Sequence, residues 1–206
     1  MKLPALIIAI LADDLATVKR IIAETPGGAA KAVNIGATRE NATEYFVDQL
    51  KHYIYAGDTP LHVAAMAYRV EIIELLVKNG ADISARNRRG AEPLHYACDG
   101  GPTLQNWNPK AQFETVSRLV KLGACPNSYD KSGVAPLHRA VRNRCTGAVK
   151  ALVECGADVN LKNKSGSTPL KLAQMTTGKS GSGSEGAKRE CALIFDLLTN
   201  AGARLI

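Results

Sequence analysis

A phrase ending in Pro-Leu-His returns at nearly fixed spacing, and no other feature of the chain constrains its fold as tightly. It reads Thr59-Pro60-Leu61-His62, Glu92-Pro93-Leu94-His95 and Ala135-Pro136-Leu137-His138, and a fourth copy, Thr168-Pro169-Leu170-Lys171, lacks the histidine. The prolines stand 33, 43 and 33 residues apart. A second phrase keeps step with the first: Gly80-Ala81-Asp82, Gly123-Ala124-Cys125, Gly156-Ala157-Asp158 and Gly202-Ala203. Two phrases in register predict a stack of like units. One short unit cannot bury its own apolar face, so neighbours must cover it.

Each unit reads as a turn, a helix, a reversal and a second helix. In the second unit Gly57 supplies a turn that a Cβ would resist. Thr59 is placed to cap the first helix, and Pro60 sits at its first position, where a missing N–H costs nothing. Ile72, Ile73, Leu75, Leu76 and Val77 give the second helix an apolar stripe at i, i+3, i+4 spacing. Gly80 ends that helix, and Asp82 turns the chain outward.

These residues resemble the ankyrin repeat, from Gly57 to Ala203, with a weaker copy before them. The resemblance implies an all-α fold: an ankyrin-repeat solenoid of stacked helix-turn-helix units with short hairpin fingers. It implies one domain over 1–206, with units at about 1–25 (the cap), 57–89, 90–132, 133–165 and 166–206. Insertions are expected at 26–55, 100–112 and 177–187. It also implies that His62, His95 and His138 are structural, bonding to neighbouring loops. Asn160, and less closely Asn127, match a turn asparagine that is hydroxylated in some members.

The three insertions differ. In 26–55, Phe46, Val47, Leu50 and Ile54 have the spacing of a short amphipathic helix. The segment either covers the end of the stack or offers its tyrosines to a partner. The second carries the only tryptophan, Trp107, which either anchors a partner or plugs its own loop. The third is rich in Gly and Ser and reads as a flexible linker. Gly178-Lys179-Ser180 is no phosphate loop, because Ala173 stands where its first glycine belongs and no strand precedes it.

Composition bounds the function. Charged residues make up 22% and hydrophobic ones 46%, as in ordinary globular chains. No apolar run has the length to span a membrane. The five cysteines include no Cys-x-x-Cys pair and read as free thiols in a reducing, cytoplasmic setting. Residues 1–12 leave open a short export signal as the alternative to a capping helix. No Ser/His/Asp set, Cys/His pair or metal-spaced cluster stands out, so the chain reads as no enzyme, with no cofactor and no metal.

The net charge of +7 lies wholly in residues 57–206, because residues 1–56 balance. Much of the excess falls on the fingers. The resemblance places fingers and first helices on one concave face, which would attract an acidic protein surface. The expected contact residues are Tyr55, Asp58, Met66, Tyr68, Arg86, Arg88, Arg89, Trp107, Tyr129, Lys131, Arg142, Lys162 and Lys164. The expected function is non-catalytic protein–protein interaction by a monomer. The alternatives are a nucleic-acid binder using the basic finger stripe and a regulatory domain of a larger protein.

Overall fold

A computed structural model describes residues 3–102, 104, 107–175 and 185–205. The described chain forms five helix pairs in order: α1 (Ala5–Leu11) with α2 (Leu15–Glu24), α3 (Pro60–Met66) with α4 (Val70–Lys78), and α5 (Pro93–Ala97) with α6 (Pro109–Lys121). Then come α7 (Pro136–Arg142) with α8 (Thr146–Glu154), and α9 (Pro169–Gln174) with α10 (Glu185–Asn200). The first helix of each pair packs on its counterpart in the next unit, and α6 likewise packs on α8.

The repeated proline opens four of these helices at their first turn. The leucine after it, Leu61, Leu94, Leu137 or Leu170, is buried in each unit. Each such side chain contributes about 1.5–3 kcal/mol when taken out of water. The second helices complete the core with Ile73 and Leu76, Val116 and Leu119, Val149 and Leu152, and Ile194 and Leu198.

Histidine joins the units. In the first helices it stands three residues after the residue before proline, and its Nδ1 accepts that residue's backbone N–H: Thr59 to His62 at 3.1 Å, Glu92 to His95 at 3.2 Å, Ala135 to His138 at 3.3 Å. Its role matches the returning side chain of a capping box. With Nδ1 accepting, Nε2 carries the proton and donates to the next unit: His62 to the Ala91 carbonyl at 3.0 Å, His95 to Val134 at 3.1 Å. His138 reaches both Leu161 (3.0 Å) and Ser167 (3.2 Å). Lys171 cannot replace this geometry.

The fingers are tight turns rather than strand ladders. Each is closed by two backbone bonds: the N–H of Asn87, Asp130 and Asn163 donates to the carbonyl of Ala91, Val134 and Ser167, and the N–H of Gly90, Gly133 and Gly166 donates back to the carbonyl of Asn87, Asp130 and Asn163. The same three side chains accept two further N–H groups each across the turn. Among the described residues the strands are β1 (Phe46–Val47) and β2 (His52–Tyr53), paired antiparallel with Phe46 opposite Tyr53.

That pair corrects the helix expected from Phe46, Val47, Leu50 and Ile54. Lys51 is left-handed at φ 48 and turns the chain back. The Phe46 and Tyr53 rings then meet across the hairpin at 4.8 Å. The first insertion is tied down at several points. The Val33 N–H donates to the Asp58 carbonyl and the Gly57 N–H to the Val33 carbonyl, Ala37 bonds to Ile54, and Gln49 reaches the Leu11 carbonyl. The second insertion ends earlier than expected, since Pro109 to Gln112 already belong to α6. Of the third, residues 177–184, including the Gly178-Lys179-Ser180 tripeptide, lie outside the described residues, and 185–187 begin α10.

Candidate finger surface

The finger tips bond to one another in series. The Arg88 N–H donates to the Ala56 carbonyl of the preceding finger, Lys131 to Arg89, and Lys164 to Gly133, at 3.0, 3.0 and 3.2 Å. Glycine makes this approach feasible. A Cβ on Gly90 would lie 2.8 Å from the Lys131 side chain, and one on Gly133 2.6 Å from that of Lys164. Arg88, Lys131 and Lys164 therefore occupy one register position on consecutive fingers, five residues before each repeated proline, and all three are exposed. Among the described residues none of the three pairs with a carboxylate.

Several expected contact residues prove to be structural. Asp58 is fully buried, and its carboxylate accepts from Tyr96 Oη, Asn87 Nδ2 and the Tyr55 N–H. Met66 is 4% exposed inside the core. Both leave the contact face, because neither side chain has surface to offer. Arg86 is spent on buried Glu92, at 2.9 Å. Tyr68 is half-buried, with its hydroxyl on the Asp99 carbonyl at 2.8 Å. Trp107 folds back: its indole N–H donates to Gln112, whose own amide donates to the Ala97 and Asp99 carbonyls.

Two guanidinium groups stand over the Tyr55 ring. The Arg88 and Arg89 carbons both stand 5.1 Å from its ring centroid, and Arg88 also reaches the Ala37 carbonyl at 2.7 Å. Tyr129 is exposed, and its hydroxyl donates to the Lys162 carbonyl of the next finger. Arg142, Lys162 and Lys164 are exposed. Tyr55, Arg88, Arg89, Tyr129, Lys131, Lys162 and Lys164 thus lie along the fingers, while Arg142 lies at the end of α7.

A buried charge cluster beneath the fingers was missed in the sequence. Arg139 donates to Asp99 at 3.1 Å and to Asp130 at 3.2 Å. His52 Nε2 approaches the same Asp99 oxygen at 3.2 Å, and Asn143 donates to its other oxygen. Burial alone would raise the Asp99 carboxyl, but Arg139 and His52 outweigh it and hold it at about 2. Burial lowers His62, His95 and His138, with His95 at about 4. These imidazoles are neutral bonds of the scaffold, with both ring nitrogens occupied. Among the described residues no His, Cys, Asp and Glu side chains gather as a metal site. None of the five cysteines is in a disulfide. No described helix is long and apolar enough to cross a membrane.

Stacked helix pairs, stitched by a histidine from three of the first helices to the next unit's loop, define a tandem-repeat solenoid. The chain belongs to the ankyrin-repeat family. The profile of ankyrin repeats in three copies matches residues 2–106, and that of ankyrin repeats in many copies matches 119–173. The chain is similar to mouse ankyrin repeat and SOCS box protein 16, 36% identical over 118 residues, which is 56% of this chain and 25% of that protein. It is also similar to chicken NF-kappa-B inhibitor alpha, 47% identical over 45 residues (22% of this chain, 14% of that one). Human protein phosphatase 1 regulatory subunit 27 is 43% identical over 53 residues (25% and 34%). The matches thus span from about a seventh to a third of these relatives.

Proposed function

We propose that this chain is a non-catalytic regulator that docks an acidic protein surface against its fingers and first helices, the concave side of the stack. Ankyrin repeats serve protein–protein interaction, and two of the relatives are named as an inhibitor and a regulatory subunit. One observation carries the finer reading: exposed cations repeat along the finger tips without carboxylate partners, on a backbone fixed by tip-to-tip bonds. Held cations lose little freedom on meeting an anionic surface, and their field speeds its approach. The stack buries its own apolar faces, which supports a monomer. The free thiols support a reducing, cytoplasmic setting.

The test is affinity capture from a lysate of the source cell. The bait carries Arg142→Glu, Lys162→Glu and Lys164→Glu, which spare the Arg88 and Arg89 contacts to Tyr55. A protein captured by the unaltered chain and lost with this bait supports the reading. Nucleic acid in place of protein in the eluate overturns it in favour of a nucleic-acid binder.

A further inference from the structure

The geometry points to a particular kind of partner segment: an extended, polyproline-II segment carrying a carboxylate at every third residue, lying along the finger tips. This rests on the reading above that the fingers face an acidic protein, and it states how that acid is arranged.

Arg88, Lys131 and Lys164 are equivalent positions of three consecutive units. Their backbone N–H groups are each bonded to the finger before. Their side chains leave from points fixed by close packing on Gly57, Gly90 and Gly133. The row therefore has the period of the stack. Helices packed side by side lie about 8–10 Å apart, so one cation recurs about every 10 Å. A polyproline-II segment has three residues per turn and advances about 3.1 Å per residue, so residues three apart share one face and cover that period, whereas in a β-strand they face opposite ways. A carboxylate at i, i+3 and i+6 meets one cation each. An α-helical partner fits poorly, since it advances about 1.5 Å per residue and would need a carboxylate about every seventh residue.

The row begins and ends differently. Tyr55 holds the same register position in the unit before Arg88, half-buried beneath the two guanidinium groups.

The experiment uses the whole chain and two synthetic peptides of about nine residues, a length that spans three units when extended. One carries aspartate at every third position in a serine and proline background, which favours the polyproline-II form. The other has the same composition with its aspartates contiguous. Fluorescence anisotropy at low salt measures both. The spaced peptide is expected to bind about tenfold more tightly, as for several exposed ion pairs acting together. Lys164→Gln, whose ammonium holds no bond among the described residues, is expected to reduce that preference, with an unchanged circular dichroism melt. Equal binding of the two peptides overturns the inference, and so does binding of neither. In either case a captured protein that still depends on Arg142, Lys162 and Lys164 leaves the acidic-surface reading standing, so the two can fail separately.

Discussion

Tyr68 adopts a left-handed backbone at φ 58 and from there places its hydroxyl 2.8 Å from the carbonyl of Asp99, one unit onward. The position closes the first helix of its unit, where the family usually has glycine. Asp13 and Arg144 hold the same place in other units, also left-handed, at φ 58 and 59. They too reach forward: Asp13 pairs with Arg69 at 3.1 Å, and Arg144 Nε lies 3.0 Å from Cys191 Sγ. A left-handed residue with a Cβ costs about 1–2 kcal/mol, and in each case a bond to the next unit offsets part of it. Tyr68→Phe keeps the ring and loses only the hydroxyl. It is expected to destabilise the chain by about 1 kcal/mol in urea denaturation, with the m-value unchanged.

Arg139 neutralises two acids that the stack has taken out of water. Its replacement by methionine keeps much of the stem's packing and leaves Asp99 and Asp130 without their cation. A loss of about 3–5 kcal/mol is expected, the range for breaking a buried pair from one side. A melt within a degree of the unaltered protein would show that the cluster contributes little.

Acid should loosen the stack in two stages. An imidazole whose folded pKa lies below its unfolded value binds fewer protons folded than unfolded between the two. Its contribution is therefore complete above 6.5 and is lost as pH falls toward about 4 for His95. That single site is worth up to about 3 kcal/mol. Asp99 follows, with stability lost as pH falls from 3.8 to about 2. Denaturation at a series of pH values reads both stages, and His95→Gln is expected to flatten the first.

Two glycines in second helices should respond oppositely to alanine. A Cβ on Gly147 of α8 would lie 2.0 Å from the Pro109 carbonyl at the start of α6, so Gly147→Ala forces these helices apart, at about 1–3 kcal/mol or more. Gly186 of α10 has nothing within 4 Å of such a Cβ. Gly186→Ala is expected to be stabilising by up to about 1 kcal/mol, from helix propensity. Thermal melts of the two variants check the contrast.

The stack itself was legible because it is written in local, repeated chemistry. Pro60, Leu61 and His62 say where a helix starts, what it buries and what it ties to, and the next units repeat them. The contact face was less legible. Asp58, Met66 and Tyr68 look variable by position, but Asp58 meets Tyr96 only because residues 38 apart are brought together. The Asp99–His52–Arg139 cluster joins two units and the first insertion, and nothing in the local sequence of His52 announces it. The first insertion misled by periodicity: Phe46, Val47 and Leu50 satisfy a helical spacing, while the turn at Lys51 decides for a hairpin. Cations on finger tips were easier to place, since the turn residues Asn87, Asp130 and Asn163 mark each tip.

The most direct test of the central claim is the affinity of a captured protein, titrated against the unaltered chain and the Arg142→Glu, Lys162→Glu, Lys164→Glu variant at low and high salt. The account predicts affinity at least about tenfold weaker for the variant at low salt, with the gap narrowing as salt screens the charges. Equal affinity for both proteins at both salt concentrations would contradict it.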